Sequence, residues 1–118
     1  MLSNQLLHKA VQDMKRISGL ECAVWDKKGV CLVMTSEKMP AWEEKAVSFG
    51  ESGEEERVEE EICLFLIRDE EDPVYILGIE GGSHEAVTAG RFGASQIANL
   101  LFAYKEKMDK NRFIQNLI

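Results

Sequence analysis

The sequence predicts an α+β domain in which one antiparallel sheet of about four strands packs with helices, in the order α-β-β-α-β-β-α. Two observations predict this order. Two pairs of β-rich apolar runs are each joined by a short polar turn, and three stretches carry apolar residues at helical spacing. A chain of 118 residues with 45% hydrophobic residues is long enough for one domain with a single core.

The first helix is predicted over residues 2–17, where apolar and polar residues alternate at the period of an amphipathic helix. Gly19 follows at the position where a left-handed residue ends a helix. The apolar residues form one stripe that two neighbours widen: Leu6, Ala10, Met14 and Ile17, with Leu7 and Val11.

The first hairpin is predicted from the β-rich runs 20–25 and 30–35. Asp26 and Gly29 bound the four residues between them, which suits a type I turn with a bulge. The register of this hairpin is left open, and it decides whether two of the cysteines share a face.

A short helix over residues 41–49 is predicted to follow Pro40, which suits a first helical turn. The runs 62–68 and 74–80, joined by a turn at 69–73, form the second hairpin. The economical packing places the second hairpin beside the first and the helices on one side of the sheet. This arrangement resembles the small sensor folds of the PAS, GAF and profilin-like kind.

The third helix is predicted to begin after Ser83, whose hydroxyl suits an N-cap, and to run on to the last residues of the sequence. Gly90 and Gly93 within it indicate a close approach to the sheet or to a partner helix. A helix longer than one small sheet can cover suggests a dimer contact or a relay. The expected dimerisation stripe consists of Val87, Ala94, Leu101 and Met108 at seven-residue spacing, with Tyr104 interleaved.

The charge distribution excludes one class of function for this segment. The net charge is -7, and eleven of the 21 acidic residues lie between Glu51 and Asp72. The chain therefore lacks the broad basic face that binds nucleic acid, and the acidic block is expected to be a solvated loop and strand edge. A run of about 18 apolar residues is also missing, so no membrane span is expected.

Catalysis and metal binding are not expected. His8 and His84 are the two histidines, and neither shows the spacing of a nucleophile pair or a zinc site with the thiols. Cys22, Cys31 and Cys63 are widely spaced in apolar runs, as reduced thiols of a cytoplasmic protein would be. We therefore expect neither an enzyme nor a cofactor.

A glycine-rich junction at 78–83 joins the last strand to the last helix. Such a junction exposes backbone amides at a helix N-terminus, where an anion can bind near Ser83 and His84. The alternative interpretation is a tight turn that needs a positive φ. The sequence leaves both open.

Three segments resemble a family. Residues 19–30 are similar to the opening "helix, Gly, strand, D-x-x-G, strand" of the sugar-diacid-recognition domains found in bacterial transcription regulators of the CdaR/PucR type. Residues 75–81 resemble that family's "V-G-x-I-x-I-x-G" strand, and residues 109–118 resemble the linker to the rest of such regulators. The resemblance implies a cytoplasmic regulator that binds a small metabolite through this domain and DNA through a C-terminal helix-turn-helix beyond this segment. The homodimer is expected from the long helix.

The resemblance has one departure. The family carries R-I-G-x-x-H after the second strand, whereas residues 36–45 here contain neither Arg nor His. No binding residue is therefore carried over from that motif. The implied organisation is a sensory and dimerisation domain over residues 1–108, with 109–118 as the start of a linker.

Two functions follow from the sequence. The first is a metabolite-sensing, dimerising input domain. Binding of its effector, a small metabolite such as a carboxylate, would be relayed through the long helix. Its pocket would lie between the sheet and the Pro40 helix, lined by Thr35, Ser36, Trp42, Gly81, Gly82 and Ser83. The second is a ligand-free dimerisation module with a filled pocket. A roadblock-type or other profilin-like protein-interaction domain is a third interpretation.

Overall fold

The computed structural model describes the backbone of residues 2–117, and the side chains of these residues except Pro40 and 108–117. Eight regular elements and one 3-10 turn follow one another along the chain. They are α1 (Asn4–Ser18), β1 (Cys22–Asp26), β2 (Cys31–Met34), the 3-10 turn (Met39–Trp42), α2 (Glu43–Ser52), β3 (Glu56–Val58), β4 (Ile62–Asp69), β5 (Asp72–Glu80) and α3 (His84–Leu117).

The sheet has five strands in the order β2-β1-β5-β4-β3, and every neighbouring pair is antiparallel. The predicted α+β class is confirmed, and the second hairpin lies beside the first as expected, with Ile79 of β5 opposite Cys22 of β1. The fifth strand, β3, lies inside the acidic block and was expected to be a loop and strand edge. It pairs with β4 through three residues, with Arg57 opposite Leu64.

Helices cover both faces of the sheet rather than one. The α1 and α3 helices pack on the face that carries Cys63, Phe65 and Ile67, while the 3-10 turn and α2 pack on the face that carries Ile62 and Leu64. The reason is the composition of β4, whose consecutive residues 62–65 are all buried. A strand that is apolar on both faces must be covered on both faces by other elements. The prediction of helices on one side of the sheet was therefore wrong.

The α1 helix ends at Gly19 as the sequence predicts, whereas its N-cap, Ser3, falls inside the predicted helix range of residues 2–17. The hydroxyl of Ser3 accepts a hydrogen bond from the Leu6 amide at 3.2 Å, and Gly19 ends the helix at a φ of 76°. The buried stripe, however, is displaced from the predicted one. Its centre is Leu7, Val11 and Met14. The apolar arc of α1 is therefore wider than the part its own core covers, because Leu6 and Ile17 at its margin stay exposed.

Two glycines let α3 lie close to its neighbours. A Cβ atom at Gly90 would overlap the ring of Phe65 in β4, and a Cβ atom at Gly93 would overlap the end of the Met14 thioether in α1. Gly90 therefore allows α3 to pack closely on the sheet, and Gly93 allows it to pack closely on α1. The Ser83 hydroxyl accepts a hydrogen bond from the Ala86 amide at 3.1 Å, so the predicted cap is also present.

These two glycines form a matched pair for a packing test. Gly90→Ala should lower the free energy of unfolding by about 1–2 kcal/mol, since overlap with the buried Phe65 ring outweighs the helix propensity of alanine. Gly93→Ala should change it by less than about 0.5 kcal/mol, because the flexible Met14 side chain can move toward an open groove. Urea unfolding measures both, and equal losses at the two positions would contradict this account.

Candidate functional site

The residues predicted to line a metabolite pocket have structural partners instead. The Thr35 hydroxyl donates to a Glu21 carboxylate oxygen at 2.6 Å and accepts from the Cys22 amide at 2.8 Å. Lys15 lies 2.8 Å from the other oxygen of Glu21. Hydrogen bonds from Lys15 and then from Thr35 hold the pKa of the Glu21 carboxyl below its usual range. Thr35 therefore closes the end of the β1–β2 ladder.

Ser36 and Trp42 hold the segment that leads into α2. The Ser36 hydroxyl accepts from the Lys38 amide at 3.3 Å, and its carbonyl accepts from the Met39 amide at 3.1 Å. Trp42 is half-buried against the core cluster beneath α2. Both residues thus stabilise the connection between β2 and α2.

The glycine-rich junction is a tight turn. Gly81 has a φ of 91° and donates its amide to the Glu61 carbonyl at 2.7 Å. Gly82 approaches the Glu59 carbonyl so closely that a Cβ atom would overlap it. Of the two interpretations of this junction, the turn that needs a positive φ is the one these contacts support, because the Gly81 amide already has an acceptor.

The six predicted residues do not form one pocket. The Thr35 amide donates to the Cys22 carbonyl of β1, and Gly81 follows the end of β5. Both residues therefore lie at the same end of the sheet, but two strand spacings, roughly 10 Å, separate them. The volume between the sheet and α2 is filled by Trp25, Met39 and Phe49, each 0% exposed.

The predicted dimerisation stripe is divided between the core and the surface. Val87 and Ala94 pack against the core, and Leu101 is buried in it. Tyr104 is exposed, and the side chain of Met108 lies outside the described residues. A dimer contact through Val87, Ala94 and Leu101 would require these side chains to leave the core of their own domain. The α3 helix runs without a break into the segment 109–118, which was expected to be the start of a linker.

The acidic block is organised by three arginines. Three consecutive glutamates each pair with a different arginine: Glu54 with Arg57 at 2.8 Å, Glu55 with Arg68 at 2.7 Å, and Glu56 with Arg91 at 2.8 Å. Each arginine lowers the pKa of its glutamate, first through the side-chain hydrogen bond. The pair between Glu56 and Arg91 ties β3 to α3, so Arg91 has a structural partner.

The cysteines are free and separated. Cys22 belongs to the cluster under α1 and α3, whereas Cys31 packs against the cluster under α2, on the opposite face. The register answers the question that the sequence left open, because residues on opposite faces cannot form a disulfide. Burial raises the pKa of the Cys22 thiol to about 12, and the thiol lies 3.2 Å from the Val11 carbonyl.

A groove of about 480 Å³ runs between α1 and α3 on the outer side of the helical layer. Exposed apolar side chains form its walls: Leu6 is 41% exposed, Ile17 74% and Phe92 58%. Ala10, Ala89 and Gly93 also line it, with Lys9, Asp13 and Gln96 as polar lining. Sequence analysis missed this site, although the unusual width of the α1 apolar arc was a signal for it.

Comparisons with models of known protein families and with curated proteins give no significant match. Within the described residues, no group of three or more His, Cys, Asp or Glu side chains is placed to hold a metal ion. None of the helices, over that same part of the chain, is long and apolar enough to cross a membrane.

Thr35 provides a test of the structural role assigned here. Thr35→Val should cost about 1–3 kcal/mol of unfolding free energy in ligand-free protein, because the buried Cys22 amide loses its acceptor. Thr35→Ser keeps the hydroxyl and should cost less than about 1 kcal/mol. Urea unfolding of both variants checks this, and a neutral Thr35→Val would argue against the role.

The thiol of Cys22 should be protected in the native state. In a Cys31→Ala, Cys63→Ala variant, modification by an aromatic disulfide reagent at slightly alkaline pH should be at least ~100-fold slower than in urea, because the buried thiol ionises so poorly. The time course of absorbance reports the rate. Equal rates in buffer and in urea would show that Cys22 is accessible.

Proposed function

We propose that this domain is a homodimerising protein-interaction module, the ligand-free alternative among the functions predicted from sequence. The observation that carries the proposal is the placement of the exposed apolar surface. Of the seven exposed large apolar side chains in the described part of the chain, Leu6, Ile17 and Phe92 line the one groove between α1 and α3. Contiguous exposed apolar surface of this kind marks interaction sites in proteins.

The filled interior supports the same conclusion. A small-molecule site needs a cavity with a few convergent polar groups that fix the ligand. The Thr35 hydroxyl is bonded to Glu21, and the Ser83 hydroxyl caps α3. The α1–α3 groove offers apolar walls with a few polar side chains beside them, which suits the side chains of a protein better than a charged metabolite.

A wider role in a CdaR/PucR-type transcription regulator is the second candidate. It is favoured by the length of α3, whose 34 residues extend about 51 Å, against about 30 Å for the nine residues of β5. In this role the domain is the cytoplasmic input part, with a metabolite effector where one exists. The projecting helix would carry the state of the dimer to a DNA-binding part beyond this segment.

Thermal unfolding separates the module from the sensor. The Tm should rise with protein concentration, because dimerisation stabilises the folded state by mass action. It should not change as a six-carbon sugar diacid or succinate is titrated at fixed protein concentration. A saturable rise in Tm with a diacid, together with no dependence on protein concentration, would overturn the proposal in favour of metabolite sensing.

A further inference from the structure

We infer that a second copy of this chain occupies the α1–α3 groove, in a two-fold contact with the two α1 helices antiparallel. The inference rests on the proposed dimerising function and goes beyond it by naming the surface and the arrangement. It differs from the stripe predicted from sequence, because Val87, Ala94 and Leu101 already pack in their own core.

The groove-lining residues of α1 have the spacing of a helix–helix contact. Leu6, Ala10, Asp13 and Ile17 are separated by four, three and four positions, and all of them line the groove. This is the spacing of a helix face that packs on another helix. The two large apolar residues stand at its ends, where Ile17 is 74% exposed and Leu6 is 41% exposed.

The charges on this face are complementary to those of a second copy turned by a two-fold rotation. Lys9 and Asp13 flank the midpoint of α1 and both line the groove. An antiparallel two-fold contact centred there places Lys9 opposite Asp13 of the partner subunit. The same geometry brings Leu6 near Ile17 of the partner subunit. Asp13 also lies 3.3 Å from Arg16 of its own helix, on an exposed part of the surface. A parallel arrangement would instead oppose like charges.

The net charge of the chain favours this face over the opposite one. Two copies that each carry a charge of -7 repel one another. The outer surface of α2 presents Glu43, Glu44 and Glu51 around Val47 and Ser48. The groove lining carries one lysine and one aspartate, which balance. Two copies can therefore approach most easily with their helical layers facing each other.

The α3 wall repeats the pattern of α1. Phe92, Gln96 and Leu100 follow one another at intervals of four residues along the groove. A two-fold contact brings the apolar ends of this wall onto the partner, with the central Gln96 amide close to the axis. Ala89, a small residue between the walls, adds little bulk to this face.

The size of the face sets the strength of the contact. The exposed fractions of Leu6, Ile17 and Phe92 correspond to roughly 300 Å² of apolar surface per copy. A standard stable interface buries about 800 Å² per partner, so this contact belongs at the lower end of the range. We therefore expect a weak dimer whose population depends on protein concentration.

Charge reversal tests the arrangement. Sedimentation equilibrium of the whole chain should show that Lys9→Asp and Asp13→Lys each weaken the dimer about tenfold, because each opposes like charges. The double variant should recover affinity to within about threefold of the unchanged protein, because the pairs are re-formed with their signs exchanged. Lys107→Asp makes the same charge change at an exposed position outside the groove lining and should leave the dimer intact.

Apolar variants test the surface itself. Ile17→Lys and Phe92→Lys should each make the chain monomeric at concentrations where the unchanged protein dimerises, with little change in Tm when both are compared as monomers. Phe102→Lys is the matched control, since Phe102 is 69% exposed on the same α3 helix and does not line the groove. Far-ultraviolet circular dichroism confirms that each variant is folded.

The possible results separate the groove contact from homodimerisation in general. A dimer that survives Ile17→Lys and Phe92→Lys would overturn the groove contact and leave homodimerisation standing through another surface. Loss of the dimer in those variants without rescue by the double charge reversal would overturn the antiparallel arrangement. A chain that stays monomeric at every concentration would overturn both proposals. A monomer whose groove binds a fluorescent, glutamate-bearing amphipathic helical peptide would assign the groove to another protein.

Discussion

The close approach of α3 to the sheet is the constraint on which the rest of the molecule depends. Gly90 leaves room for the Phe65 ring, so the axis of α3 can lie near the strands, and Gly93 then leaves room for Met14 of α1. Because α1 packs in beside α3 rather than farther out on the sheet, only one side of its apolar arc reaches the core. The groove is the space that remains between the outer sides of the two helices.

Much of this fold could be predicted from local patterns. Gly19 and Ser83 carry the cap geometry that their residue types predict, and the two hairpins lie side by side as expected. Strand β3 could not be predicted, because its three residues Glu56–Val58 lie within a run of charges. The strand pairs with β4, and Glu56 also forms an ion pair with Arg91, which is distant in sequence and near only after folding.

The candidate site was harder to predict than the fold. Sequence analysis identified polar residues around Thr35 and Ser83, yet those hydroxyls serve backbone amides at the ends of elements. Polar residues at strand ends and helix starts satisfy the chain's own hydrogen bonds as readily as those of a ligand. The groove is built from apolar residues, and a wide apolar arc does not reveal which of its sides the core will cover. That choice is made by packing across the whole domain.

The three arginine–glutamate pairs at β3 have a consequence for how copies of this protein can associate. Glu55 pairs with Arg68 of β4 and Glu56 pairs with Arg91 of α3, so a slide of the strand by one residue would disturb both of these pairs. Glu54 and Arg57 lie on the same segment and would move together. A short outer strand that is pinned and charged is a poor template for an incoming chain, because a new strand would meet carboxylates along its border. Edge-to-edge association of sheets from different copies is therefore disfavoured at β3.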